Sequence, residues 1–132
     1  MEEGKTKGKI IIVDDEEGIL MLLTEFLREN GYEVDPFIDS KEALSALKAG
    51  GYQILITDMS MPKIDGLQLI SYIQKEYLNT LGIVITGYGT LENAINAMRC
   101  GAFDYILKPF KLEDILTIVE SAVYYHNLII KG

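Results

Sequence analysis

The sequence predicts an α/β domain, a parallel sheet with helices packed on both faces. Two observations carry this. Five short apolar runs alternate with five amphipathic stretches, the pattern of repeated strand–helix units. The first run, Ile10 to Val13, is continuous and β-branched, which suits a central strand covered on both sides. Right-handed crossovers then leave few ways to connect the units.

Residues 1–8 read as a frayed tail ahead of the first strand. After Val13 come Asp14, Asp15, Glu16 and Glu17, acids that suit a helix N-terminus, where the macrodipole favours negative charge. Ile19, Leu22, Leu23, Phe26 and Leu27 recur at helical spacing and predict one buried face. Gly31 after Asn30 is a natural stop. Tyr32 to Phe37 reads as a second strand, and Pro36 places it near a sheet edge. Asp39 with Glu42 predicts a capping box for a helix with Ala43, Leu44, Ala46 and Leu47 on its face. Gly50 and Gly51 end that helix.

Ile54 to Thr57 reads as a buried strand that delivers Asp58 to its end, and Pro62 keeps the strand from continuing. Asp65-Gly66 looks like a turn. Leu67, Ile70, Ile73 and Tyr77 keep helical spacing after it. Ile83 to Ile85 is a fourth strand ending in Thr86, followed by the flexible loop Gly87-Tyr88-Gly89. Thr90 is a helix cap, and Ala94, Ile95, Ala97 and Met98 form the face beneath it, as far as Gly101. Tyr105 to Leu107 is a fifth strand, closed by Lys108-Pro109. Leu112, Ile115, Leu116, Val119, Ala122 and Val123 make the last helix. His126, Ile129 and Ile130 continue its spacing, so residues 126–132 either begin a linker or dimer contact or fray.

At 132 residues one domain with a real core is expected. The net charge of −8 argues against direct nucleic-acid binding, since phosphates would be repelled. A single cysteine, Cys100, allows no internal disulfide and suits a cytoplasmic location. It reads as a small apolar residue at a helix end. His126, the one histidine, is expected at the surface. No apolar run approaches the length of a membrane span.

All C-terminal ends of parallel strands lie on one edge, where ligands bind in open α/β sheets. That edge gathers Asp14, Asp15, Asp58, Thr86 and Lys108. Neighbouring carboxylates repel one another unless a cation intervenes, and an all-oxygen set suits Mg²⁺. No His or Cys cluster offers zinc. A carboxylate beside a metal, a lysine and a hydroxyl can act as nucleophile toward a phosphoryl group and form an acyl phosphate.

The stretches IIIVDDEE, LITDMSMPKIDGLQLI, IVITGYGT and FDYILKPF together resemble the receiver domain of bacterial two-component response regulators. The likeness covers Lys9 to Val123 of a receiver domain expected over residues 9–125, and the last part looks most like receivers of the NtrC type. It implies a CheY-like, flavodoxin-like (βα)5 fold with strand order 2-1-3-4-5. It further implies Asp58 as phosphoacceptor and Mg²⁺ held by Asp14, Asp15, Asp58 and the Ser60 carbonyl. Lys108 and Thr86 would contact the phosphoryl group, and Tyr105 would be an aromatic switch coupled to Thr86. Lys108-Pro109 would be a cis peptide, and Ser60 and Tyr88 would tune dephosphorylation. The implied partners are a sensor histidine kinase, a C-terminal ATPase or DNA-binding output domain, and a second copy on phosphorylation.

Rival readings are weaker. An aspartate-nucleophile phosphohydrolase usually needs a second acid two residues after the nucleophile, where Ser60 stands. A flavodoxin-like cofactor site would be repelled by Asp14 to Glu17. A receiver-like module that binds partners without phosphorylation, or a stand-alone phosphorelay carrier, is the remaining alternative. The complete set of acids, Thr86 and Lys108 speaks against the first of these two. The expected role is a signalling switch rather than an enzyme with turnover.

Overall fold

The structure is a computed structural model that describes residues 6–76, 78–87 and 89–130. Tyr77, expected on the third helix, and Tyr88, expected in the loop after Thr86, lie outside the described residues, as do residues 1–5, 131 and 132 and the Ile130 side chain.

Five parallel strands form one sheet: β1 (Lys9–Val13), β2 (Glu33–Phe37), β3 (Ile54–Asp58), β4 (Leu81–Thr86) and β5 (Asp104–Leu107). Their order is β2-β1-β3-β4-β5, as the resemblance implied. Five helices connect and follow them: α1 (Glu17–Glu29), α2 (Ser40–Ala49), α3 (Gly66–Lys75), α4 (Leu91–Arg99) and α5 (Leu112–Tyr125). A π-helical turn, His126–Ile130, extends α5.

Side chains alternate across each strand, and here both faces are apolar. Ile10, Ile12, Ile54, Ile56, Ile83 and Ile85 pack beneath α1 and α5. Ile11, Val13, Leu55 and Val84 pack beneath α2, α3 and α4. Each fully buried Ile or Leu contributes about 1.5–3 kcal/mol over an exposed one. A strand buried on both faces therefore reads as an unbroken apolar run, which is why β1 and β3 stand out in the sequence. β2 lies at the edge, where Pro36 withholds no needed ladder donor.

Several local expectations are corrected. The face of α1 is shifted at its edge: Leu23 and Leu27 are buried and Ile19 and Phe26 pack against the core as expected, but Leu20 and Thr24 are buried as well and Leu22 is 48% exposed. Thr24 enters the core because its hydroxyl donates to the Leu20 carbonyl (2.7 Å). On α4 only Ala97 is buried, and Ile95 and Met98, expected in the core, are exposed. Asp39 caps α2 by accepting from the Lys41 amide (2.8 Å), but its second oxygen is taken by Lys63 (3.2 Å). The reciprocal capping box forms at Asp65 and Gln68 instead, opening α3. Thr90 caps α4 as expected, accepting from the Asn93 amide.

The two chain ends also differ from expectation. Thr6 to Gly8, read as frayed, are tied down: the Lys7 amide donates to the Gly31 carbonyl and the Gly8 carbonyl accepts from the Glu33 amide. His126, expected at the surface, is buried, with Nε2 2.7 Å from the Asn79 carbonyl oxygen. Its polar ring is admitted because that carbonyl accepts one N–H. Ile129 is exposed and does not continue the buried face. Cys100 caps the end of α4, half-buried.

Candidate functional site

The strand order reverses between β1 and β3, so the carboxyl ends of these two parallel strands flank the crevice in which open α/β sheets bind ligands. Backbone bonding beyond the strands fixes the groups there. The Asp14 amide donates to the Phe37 carbonyl, the Met59 amide to Ile85, and the Lys108 amide to Thr86. The pairing of Val13 with Thr57 sets Asp14 and Asp58 next to each other, with Thr86 and Lys108 on the far side.

At the centre is the Lys108 ammonium. It lies 3.0 Å from Glu16 Oε1, 3.3 Å from Asp58 Oδ1 and 3.7 Å from Asp14 Oδ2. Asp14, Glu16 and Asp58 each place a carboxylate oxygen within 4.8 Å of the others. Asp14 is buried, and its Oδ1 accepts from the Glu16 amide (2.8 Å). A cleft of about 470 Å³ opens above these groups, lined by Asp15, Glu16, Asp58, Ser60, Thr86, Gly87 and Lys108.

Burial pushes the Asp14 carboxyl up to about 6, chiefly by desolvation, against the Glu16 amide bond and with the Asp58 charge adding to it. Asp58 is raised for the same first reason, while Lys108 pulls it back. Burial alone would lower Lys108, but Glu16, Asp14 and Asp58 together hold it above its ordinary value. The site thus has more negative charge than one lysine balances, and its carboxylates could hold a metal ion.

The expected site residues are largely brought together. Asp14, Asp58 and Lys108 are in contact, and Thr86, Asp15 and Ser60 line the same cleft. Asp15 is exposed and stands outside the tight carboxylate trio. Tyr105 is half-buried on β5, opposite Val84, and packs with the α2–α3–α4 side of the core rather than lining the cleft. Lys108-Pro109 is a cis peptide.

Two contributors were not singled out from sequence. Glu16 was read only as helix-terminal charge, though its position two residues after a strand-end acid could have suggested a site role. Ser40, buried at the start of α2, donates to the Pro62 carbonyl (3.1 Å) and accepts from the Ile64 amide (3.3 Å). Together with the Lys63–Asp39 ion pair, it fastens the loop after Asp58 to the start of α2. Nothing in the local pattern at Ser40 announces so distant a partner.

The metal-free fold carries a pH dependence. The folded Asp14 value lies above its unfolded one, so this group's contribution is fully present below about pH 4 and is lost as pH rises through about 6. Urea unfolding in chelator is expected to show a loss of about 1–2 kcal/mol between pH 4.5 and 7.5, discounted for the solvent in the cleft. Asp14→Asn should flatten that slope. An equal slope in the variant would place the dependence elsewhere.

The fold and this strand-edge constellation define a class of protein, and comparison with known proteins agrees. Residues 10–120 match the family described as the response regulator receiver domain. The chain belongs to that family. The transcriptional regulator NtrC of Proteus hauseri is 32% identical over 121 residues, covering 92% of this chain and 26% of that protein. The response regulator protein PilR of Pseudomonas aeruginosa is 35% identical over 122 residues, covering 92% of this chain and 27% of that protein. The chain thus spans about a quarter of the length of these relatives. Among solved structures, a receiver domain protein from Clostridium thermocellum superposes with a TM-score of 0.86 at 35% identity, over 92% of this chain and 98% of that one. A CheY-like receiver domain protein from Methanospirillum hungatei gives 0.87 at 28% identity, over 95% and 98%.

Proposed function

We propose that Asp58 accepts a phosphoryl group from a phosphohistidine of a sensor histidine kinase, and that the modified domain switches an output domain or partner acting in transcription. The single observation that carries this is Asp58 at the end of β3, 3.3 Å from the Lys108 ammonium at the mouth of an open cleft. An Asp58 carboxylate oxygen attacks phosphorus in line. A P–O bond forms, the P–N bond breaks, and the imidazole nitrogen keeps the electron pair. Lys108 is placed to meet the equatorial oxygens as their charge develops. The Thr86 hydroxyl, on the same cleft, then bonds to the product. Tyr105 follows Thr86 inward and changes the surface of α4, β5 and α5. This is a shift between two states of the existing fold.

The carboxylates fit a hard divalent cation. Three oxygens converge, and Asp14 and Asp58 are both raised by burial in a way that a cation would reverse. Bound Mg²⁺ would neutralise the transferring phosphoryl group. Asp14, Asp15, Asp58 and the Ser60 carbonyl would hold it, with Glu16 at the margin.

In this reading residues 9–125 are the switch and 126–132 are the end of the last helix or the start of a linker to an output domain, with a second copy as partner in the phosphorylated state. The location is cytoplasmic; no helix among the described residues is long and apolar enough to cross a membrane. Phosphorylation and its hydrolysis are the only chemistry, with no turnover of another substrate. A partner-binding module without phosphorylation would have no use for Lys108 held against Asp58.

The test is intact mass after incubation with acetyl phosphate and Mg²⁺. One phosphoryl group is expected on the parent and none on Asp58→Asn or without Mg²⁺. An adduct persisting on the variant would move the acceptor to another residue. Mg²⁺ should also raise the melting temperature by linkage, with about 2.7 kcal/mol gained at a hundredfold excess over its Kd. Coincident melts with and without the ion would remove the metal from this account.

A further inference from the structure

Glu16 occupies the N-cap position of α1, yet its side chain makes no capping bond. Its backbone is held instead: Asp14 Oδ1 accepts the Glu16 N–H. The Glu16 carboxylate turns across the cleft and takes the shortest of the three contacts made by Lys108, 3.0 Å against 3.3 Å for Asp58 and 3.7 Å for Asp14. The Lys108 side chain is only 17% exposed, while that of Glu16 is 62% exposed. The lysine is therefore confined at the site and the glutamate reaches in from solvent.

We propose that Glu16 is a positioning residue that holds Lys108 in the resting cleft and must yield it during phosphorylation. The inference rests on the phosphoacceptor reading given above. When a phosphoryl group arrives at Asp58, the Lys108 ammonium is drawn to oxygens of higher charge. Its bond to Glu16 belongs to the resting state and weakens on the way to the transition state. An interaction stronger in the ground state than in the transition state slows the step. Glu16 thus keeps the unmodified domain from reacting with stray phosphodonors.

The experiment compares the parent, Glu16→Gln and Glu17→Gln, each as the full chain, for the rate of phosphorylation by acetyl phosphate at saturating Mg²⁺. Glu17 is exposed in the first turn of α1 and is not among the ion-pair partners of Lys108. Its replacement removes the same charge one residue away. Glu16→Gln is expected to react about two- to fivefold faster, the range of an exposed ion pair, and Glu17→Gln at the parental rate. In the unmodified parent the Lys108 ammonium should give a slowly exchanging ¹⁵N–¹H signal that Glu16→Gln loses and Glu17→Gln keeps.

Equal acceleration in both variants would overturn the proposal in favour of general repulsion of the donor. A slower Glu16→Gln would overturn it by making Glu16 an aid to the transition state. Mg²⁺ affinity weakened about tenfold in Glu16→Gln would assign the residue to the metal instead. A parent that takes up no phosphoryl group removes the Asp58 reading and this one with it, a result distinct from equal rates among reacting proteins.

Discussion

Gly66→Ala is expected to destabilise the domain by about 3 kcal/mol and to slow phosphorylation of Asp58 sharply. Gly66 opens α3 directly behind the site, and its amide donates to the Met59 carbonyl (3.0 Å). A Cβ added there would overlap the Asp58 carbonyl oxygen and lie 3.1 Å from both the Asp58 carbonyl carbon and the Met59 Cα. All of these are backbone atoms, so no rotamer change relieves the clash. Either α3 moves or the peptide carrying the acceptor does. Gly82→Ala is the comparison. Its Cβ would meet the tip of the Ile70 side chain, which can rotate, and about 1 kcal/mol is expected. Urea midpoints order the two variants. A Gly66→Ala midpoint equal to that of Gly82→Ala would show that close backbone approach is not what requires the glycine.

That example marks what was readable in the sequence. Asp65-Gly66 looks like a turn, and the glycine could be noticed. What it must avoid is the end of β3, eight residues earlier, and no local pattern states that distance. The strands were legible because burial on both faces leaves an unbroken apolar run, as at Ile10 to Val13 and Ile54 to Ile56. The strand edge was legible because parallel strands end on one side. Asp14, Asp58, Thr86 and Lys108 follow from that rule without any knowledge of side-chain conformation.

Helix faces were less legible, for a definite reason. α1 is apolar at Ile19, Leu20, Met21, Leu22 and Leu23, so two phases of helical spacing fit equally. The observed phase buries Thr24, which looks polar until its hydroxyl is paired with the Leu20 carbonyl. On α4, Ile95 and Met98 have core-like identity but stand exposed with Leu91 and with Leu107 at the end of β5. Residue type predicts burial only where something is present to cover it. Lys63 holds φ at 70° beside Pro62, a backbone region that few residues except glycine favour, and its charge meets Asp39 across the loop. Its identity alone suggested neither.

Lys108→Ala should have the second large effect, and its two parts separate by pH. Phosphorylation is expected to slow about a hundredfold or more, as when a preorganised charge partner of a transition state is removed. Stability should change in the same variant without Mg²⁺. Asp14, Glu16 and Asp58 would then face one another with no cation, and about 1–3 kcal/mol is expected to be lost at pH 7.5. The sign follows from ionisation. Lys108 now lowers Asp58 and Asp14 against the desolvation that raises them. Without it both rise further, and the penalty exists only where they are charged. It should fade as pH falls below about 6, where the buried Asp14 carboxyl takes up its proton. Mg²⁺ should restore part of the stability, because a cation answers the same repulsion, yet leave most of the rate defect, because the ammonium meets the phosphoryl group itself. Chemical unfolding at pH 4.5 and 7.5, beside single-turnover phosphorylation, reads both parts. A stability loss independent of pH would mean that Lys108 matters through packing of its methylenes. Recovery of the full rate by Mg²⁺ would mean that its charge serves only to offset the carboxylates.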